Sequence, residues 1–149
     1  MGRLTLPTSG LVYADAQIAI YTADVNPTYA PVLIPLWQEM TKGTFQVVSS
    51  ELTIVETLVL PLRLNDALML NQREGIWRQK NTTLLPITQD ILREAARLRA
   101  LISGLKTPDA LHAATAILHG CTLFITNDNG FRRVPNLPLI VLDDVLAAP

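Results

Sequence analysis

Leu105–Asp128, LKTPDALHAATAILHGCTLFITND, holds a complete passage from helix to strand and ends on an acid. Pro108 suits the first position of a helix, where a missing N–H costs nothing, and Thr107 before it is a suitable N-cap. An apolar run carries on to His119, and Gly120 is the residue type that favours the turn just past a helix end. The spacing therefore predicts a helix over Pro108–His119. Thr122–Ile125 is short, apolar and bounded by polar residues, as buried parallel strands are. Asp128 follows at once. A helix that feeds a buried strand with a carboxylate at its far end is a repeating unit of an α/β sheet.

The same grammar extends in both directions. Leu11–Ala14, Phe45–Val48, Thr83–Ile87 and Leu139–Leu142 read as further buried strands. Thr28–Met40 has Val32, Leu33, Leu36, Trp37 and Met40 on one helical stripe. Glu51–Leu60 and Asn65–Arg78 are helical segments separated near Pro61. Gln89–Ser103 turns Ile91, Leu92, Ala95, Leu98 and Ile102 inward and ends at Gly104. Strands alternating with helices predict an α/β fold, a three-layer domain over residues 1–149 with a central parallel sheet flanked by helices. Sites in such sheets form at the carboxyl ends of strands, where strand order reverses.

Composition narrows the function classes. The 149 residues are about one domain, 49% hydrophobic and 17% charged, far from a disordered chain. The high apolar share points to an interface as well as a core. A net charge of −1 argues against indiscriminate coating of nucleic acid, so any nuclease needs a local basic rim. Cys121 is the sole cysteine, which excludes an intramolecular disulfide and a cysteine-rich zinc site and favours a cytoplasmic setting. No apolar stretch is long enough to span a membrane. Arg3, Pro7, Gly10 and Asp15 make the opening segment unlike a signal peptide.

Four of the 13 acidic residues stand apart. Asp15 ends the first strand and Asp128 follows the fourth, so neighbouring strands would bring them together. Glu56 lies among apolar residues in SSELTIVETL, in the second turn of a helix that Ser50 is placed to cap. Asp109 lies in the first turn of the Pro108–His119 helix. Each has an ordinary reading: an Asp after a strand is a common turn residue, an acid in a first turn favours the helix dipole, and Glu56 fits a solvated stripe. Together at one sheet edge they would repel one another, and a divalent cation removes that conflict. Oxygen donors without a Cys/His cluster suit Mg²⁺ or Mn²⁺. Such a site supports phosphodiester hydrolysis without a protein nucleophile, consistent with the lack of a G-x-S-x-G elbow.

The contexts VYADAQIAIY, SELTIVETL, LKTPDALHAATA, GCTLFITNDNGF and LPLIVLDD resemble the PIN domain, and most of all the VapC-type toxins of bacterial toxin–antitoxin pairs. The resemblance covers about Leu11 to Asp144 and is most specific from Arg97 onward. It implies Mg²⁺ or Mn²⁺ at the acidic cluster, endoribonuclease activity, homodimerisation and inhibition by a cognate antitoxin. It implies Asp15 and Asp128 as direct metal ligands, with Glu56 and Asp109 completing the set directly or through water. Ser50 and Thr126 match the polar positions that orient water or carboxylates. The chain departs from the family just after the first Asp, where Ala16 and Gln17 replace a Thr or Ser and an Asn. Gln17 still offers an amide, but loss of a supporting hydroxyl commonly costs about 10–100-fold in affinity or activity. Gly130 stands where many relatives carry another Asp.

Arg63, Arg73, Arg78 and Lys80 are candidate RNA-facing cations around the segment after Glu56. Lys106, Arg132 and Arg133 are candidates near Asp109 and Asp128. His112 reads as a partly exposed helix residue, His119 as a partner of helix-end carbonyls, Trp37 and Trp77 as core or dimer packing, and Asp143–Asp144 as a turn. The apolar helices Thr28–Met40 and Gln89–Ser103 are the expected dimer faces. The competing class is a metal-weakened PIN-like module that holds RNA or a partner protein, supported by Ala16 and Gln17. A receiver-like phosphoacceptor lacks its acidic pair and late Lys, and no Gly-rich loop marks a nucleotide-binding unit.

Overall fold

Neighbouring residues of a strand face opposite ways, and this divides the core in two. In β1 (Leu11–Ala14), Val12 and Ala14 join one apolar cluster and Tyr13 joins the other. Val47 and Val48 of β2 (Gln46–Ser50) split the same way, as do Leu123 and Phe124 of β4 (Leu123–Thr126). The strands are therefore buried on both faces, which explains their continuous apolar sequence. The computed structural model describes residues 2–149. With β3 (Thr82–Leu85) and β5 (Leu139–Val141) the sheet has five parallel strands in the order β3-β2-β1-β4-β5. Strand order reverses at β1, whose register with β4 sets Ala14 beside Ile125.

One face of the sheet is covered by α2 (Ala30–Lys42), together with α1 (Ala16–Ala23) and α7 (Leu142–Ala147). The other carries α5 (Gln89–Leu101) and α6 (Thr107–Leu118). The expected three layers are present. In α6 every residue from Ala110 to Ala116 is buried. Its alanines allow close approach to the sheet and to α5. None of the helices is long and apolar enough to cross a membrane, among the described residues.

Several local expectations are corrected. Helix α1 is absent from the sequence reading, which starts its first helix at Thr28. AQIAIYTA has no charged stripe and runs on from β1 without punctuation, but Asp15 caps it: its Oδ1 accepts the N–H of Ile18 at 3.3 Å. Pro31 and Pro35 leave α2 continuous. Pro61 does not separate two helices either, since α3 (Leu52–Arg63) runs through it. The break comes at Asn65, whose φ of 52° ends the helix, and Asp66 then caps α4 (Ala67–Gly75). Helix α6 starts one residue early, at Thr107, whose hydroxyl takes an N–H from Arg99 at 2.8 Å instead of capping. Gly120 closes it at φ +62°. Asp143 and Asp144 lie in the first turn of α7, where the helix dipole favours them.

Arg73 is a second correction of a different kind. Instead of facing RNA it is 5% exposed, tied to Asp24 at 2.7 Å. Its Nη1 also donates to the carbonyl of Thr57 at 2.9 Å. Pro61 lacks the N–H that would have served that carbonyl within the helix. Arg73 supplies the missing donor and thereby joins α4 to α3.

The apolar surplus lies only in part on the expected helices. Val32, Leu33, Leu36 and Met40 of α2 are consumed by the chain's own core. About half of the large exposed apolar side chains lie on α3 and α4, with Val55 at 61%, Leu62 at 63% and Leu68 at 68%. Ile34 of α2 and Leu92 and Leu101 of α5 stay exposed as well, Leu92 against the expectation that it points inward.

Candidate acidic site at the strand-order reversal

Adjacent parallel strands β1 and β4 end side by side, and Asp15 and Asp128 follow them. Asp15 is 5% exposed. Its Oδ2 accepts a short hydrogen bond from the hydroxyl of Thr126, the last residue of β4. That hydroxyl oxygen accepts the N–H of Asp128 at 3.0 Å. One hydroxyl therefore joins the two acids, using its donor on one and its acceptor on the other. The Asp128 carboxylate also accepts the N–H of Gly130 at 2.8 Å, which starts a 3₁₀ turn over Asn129–Arg133.

Glu56 arrives from the second turn of α3 and Asp109 from the first turn of α6. Asp15, Ala16, Gln17, Glu56, Asp109, His112 and Asp128 line one pocket. All four acids singled out by sequence thus come to a single place. Ser50, at the end of β2, is fully buried, and its Oγ accepts the N–H of Leu52 at 3.1 Å. It supports the start of α3 without entering the pocket wall. Gln17 is exposed at the pocket edge.

The electrostatics match a crowded acidic site. Burial pushes the carboxyl of Asp15 up to about 6, against the opposing pull of the Thr126 hydrogen bond and His112, with Glu56 pushing further up. Burial also raises Asp109, and the nearby Asp128 and Glu56 add to the rise. Ionising these groups in a metal-free pocket is costly, and a cation offsets that cost. Among the described residues no three His, Cys, Asp or Glu side chains stand ready-made as a closed cage. Mg²⁺ does not need one: it keeps several waters and uses one or two carboxylates. Oxygen donors on Asp15 and Asp128, with Glu56 and Asp109 within the same pocket, fit such an ion.

His112 corrects the sequence reading most sharply. It is 2% exposed, not a surface residue. Its Nδ1 lies 2.6 Å from the Tyr13 hydroxyl and its Nε2 lies 2.6 Å from Glu56 Oε1. The available signal was the surrounding composition: a helix of Ala and Leu with no charge between Asp109 and His119 leaves no solvent stripe for it. Tyr13 was missed for a similar reason, having been read only as one apolar strand position.

The proposed cations sort by their contacts. Arg63, Arg78, Lys80 and Lys106 are exposed. Arg78 is shared with Glu74. Arg132 pairs with Asp144 at 2.6 Å, and Arg133 donates to the carbonyls of Ser103 and Gly130. His119 Nδ1 lies 2.9 Å from the carbonyl of Thr115. Trp37 donates to Thr22 at 2.9 Å and packs with Trp77 against the core. Cys121 is buried, with its thiol pushed up to about 12 by burial. A further pocket beside α3 and α4, lined by Ile54, Leu58, Trp77 and Leu84 with Arg73, Arg78 and Glu74, holds one carboxylate against two guanidinium groups.

Residues 12–137 match the PIN domain family. The chain is a PIN-domain protein. No curated protein sequence matches it. The PIN domain is structurally similar to VapBC2 of Rickettsia felis bound to a promoter DNA fragment, with a TM-score of 0.69 at 17% identity, over 88% of this chain and 98% of that one. It is also similar to a chain of a toxin–antitoxin complex from Klebsiella pneumoniae, with a TM-score of 0.63 at 23% identity over 87% and 96% of the two chains. A third similar structure is VapC20 of Mycobacterium tuberculosis, a sarcin-ricin loop cleaving toxin, with a TM-score of 0.68 at 15% identity over 83% and 95%. At these identities the likeness establishes a shared fold.

Proposed function

We propose that this PIN-domain protein is a Mg²⁺- or Mn²⁺-dependent endoribonuclease, the toxin of a VapBC-type toxin–antitoxin pair. The observation that carries the reading is the clip of Asp15, Thr126 and Asp128 across the ends of β1 and β4, with Glu56 and Asp109 in the same pocket. Asp15 and Asp128 would hold the cation, Glu56 and Asp109 would hold its waters, and Thr126 keeps Asp15 in place. When bound, a divalent cation supplies water activation near neutral pH and charge stabilisation at phosphoryl oxygens. The chain's own residues orient the acids and hold them in one pocket. Exposed Lys106, with Arg132 and Arg133 on the adjoining 3₁₀ turn, forms a basic rim for the RNA backbone. Arg63 and Arg78 lie outside the pocket wall, and Lys80, just before β3, is at the opposite, amino-terminal edge of the sheet. The protein acts in the cytoplasm as a homodimer. Its antitoxin presents a basic side chain to Asp15 and Asp128 and so blocks the cation.

The lack of a ready-made three-residue cage, together with Ala16 and Gln17, favours a second reading: a module that binds RNA or protein without cutting. Purified wild type and Asp128→Asn, incubated with structured RNA and Mn²⁺, separate the two. Cleavage by the wild type that is lost in the folded variant supports the nuclease. RNA retention without cleavage at any Mn²⁺ concentration supports the module.

A further inference from the structure

A tyrosine, a histidine and a glutamate form a continuous buried chain into the acidic pocket. Tyr13 is fully buried in β1, two residues before Asp15, with its ring stacked on Phe124 at 4.8 Å. Its hydroxyl meets His112 Nδ1, and His112 Nε2 meets Glu56 Oε1, each at 2.6 Å. The rings of Tyr13 and His112 meet edge to face at 75°. These contacts hold His112 on both nitrogens and on its ring edge.

The proton positions follow from what each group can do. A tyrosine phenol carries its proton at neutral pH. The Glu56 carboxylate accepts only. His112 therefore donates from Nε2 to Glu56 and accepts at Nδ1 from Tyr13, which satisfies all three groups with one tautomer. The reverse tautomer would set an unprotonated Nε2 against a carboxylate oxygen, two acceptors with no proton between them.

We propose that His112 is a positioning residue for Glu56, and that Tyr13 fixes its tautomer. This rests on the metal-dependent reading of the pocket. Glu56 is the one acid of the four that comes from α3, and its side chain is 29% exposed. A long carboxylate side chain so placed samples several rotamers unless something holds it. His112 anchors Oε1 and leaves Oε2 for the pocket; among the described residues Oε2 has no hydrogen-bond partner. The arrangement ties the Glu56 carboxylate to β1, the strand that ends at Asp15, so the two acids are set relative to one another through Tyr13 and His112. Loss of a hydrogen bond supporting a metal-ligating group commonly costs about 10–100-fold in metal affinity, and His112→Ala is expected to weaken Mn²⁺ binding by that factor. His112→Gln, which returns an N–H to Glu56, should recover part of it.

Calorimetric Mn²⁺ titration of wild type, His112→Ala, His112→Gln and Tyr13→Phe, with ¹⁵N NMR of the histidine rings in the metal-free protein, tests this. The expected spectrum has His112 as the Nε2–H tautomer in wild type and as a mixture in Tyr13→Phe. A wild-type ring protonated on Nδ1 overturns the proposal even if His112→Ala fails to fold. Unchanged Mn²⁺ affinity in folded His112→Ala, while Asp128→Asn loses binding, overturns it and leaves the metal site standing. No Mn²⁺ binding by the wild type overturns both.

Discussion

Thr126 donates its hydroxyl proton to the Asp15 carboxylate, and the two residues lie on neighbouring strand ends 111 positions apart in sequence. The same oxygen receives the N–H of Asp128. Thr126→Val keeps the shape and removes both bonds. A buried carboxylate and a backbone donor would lose their partner, so the variant should lose about 1–3 kcal/mol of stability. Thr126→Ser should restore most of it. Urea unfolding of the three metal-free proteins checks the order, and a Val variant as stable as wild type would remove the clip from the account.

Stability of the metal-free protein should fall as pH rises from about 4 to about 6. Asp15 has a folded value of about 6 against 3.8 unfolded, because burial disfavours its charge. Over that window the fold binds more protons than the unfolded chain, so raising pH favours unfolding. The loss amounts to about 3 kcal/mol at most and levels off above the folded value. Asp15→Asn should flatten this slope, stay folded, and abolish RNA cleavage. Thermal melts in chelator between pH 4 and 8 give the slope, and a rise in stability across the window contradicts the assignment.

Arg73 should matter to the fold and not to RNA. Arg73→Met leaves the Thr57 carbonyl without the donor that replaces the N–H absent at Pro61. It also frees Asp24, whose side chain is about one-third exposed and recovers water. The expected cost is about 1–3 kcal/mol, with unchanged RNA affinity in the folded variant. Filter binding alongside denaturation separates this from a direct RNA contact, which would give the opposite pattern.

The exposed Val55, Leu62 and Leu68 should carry self-association or capture of the antitoxin. Stable interfaces bury about 1,200–2,000 Å² and concentrate their energy in a few apolar anchors. Leu62→Glu should weaken association at least about tenfold without affecting stability. Light scattering at micromolar concentration measures the first effect. A variant that associates like the wild type would move the interface elsewhere.

Much of the fold was legible because the central strands β1, β2 and β4 are buried on both faces and punctuated by Gly, Pro and polar residues. The four acids were legible because two follow the ends of apolar strands, Asp15 and Asp128, and two sit in otherwise apolar helices, Glu56 and Asp109. Helix α1 was not, since an apolar helix following an apolar strand offers no change of period for a reader to catch, and its only marker is the double role of Asp15 as cap and site residue. The roles of His112 and Arg73 were hidden for another reason. Each answers a partner far away in sequence, Tyr13 and Glu56 for one, the carbonyl left open by Pro61 for the other. The surplus of α2 misled because a helix stripe does not reveal how many neighbours will cover it.

The central place of β1 between β2 and β4 also sets an order of events during synthesis. Asp15 emerges from the ribosome before the strand β4 that shelters it, and the hydroxyl that holds it comes 111 residues later. Until β4 is made, Asp15, Glu56 and Asp109 exist without the frame that aligns them, and Asp128 follows only after it. A growing chain of this protein therefore carries an unassembled acidic pocket until those later residues are made.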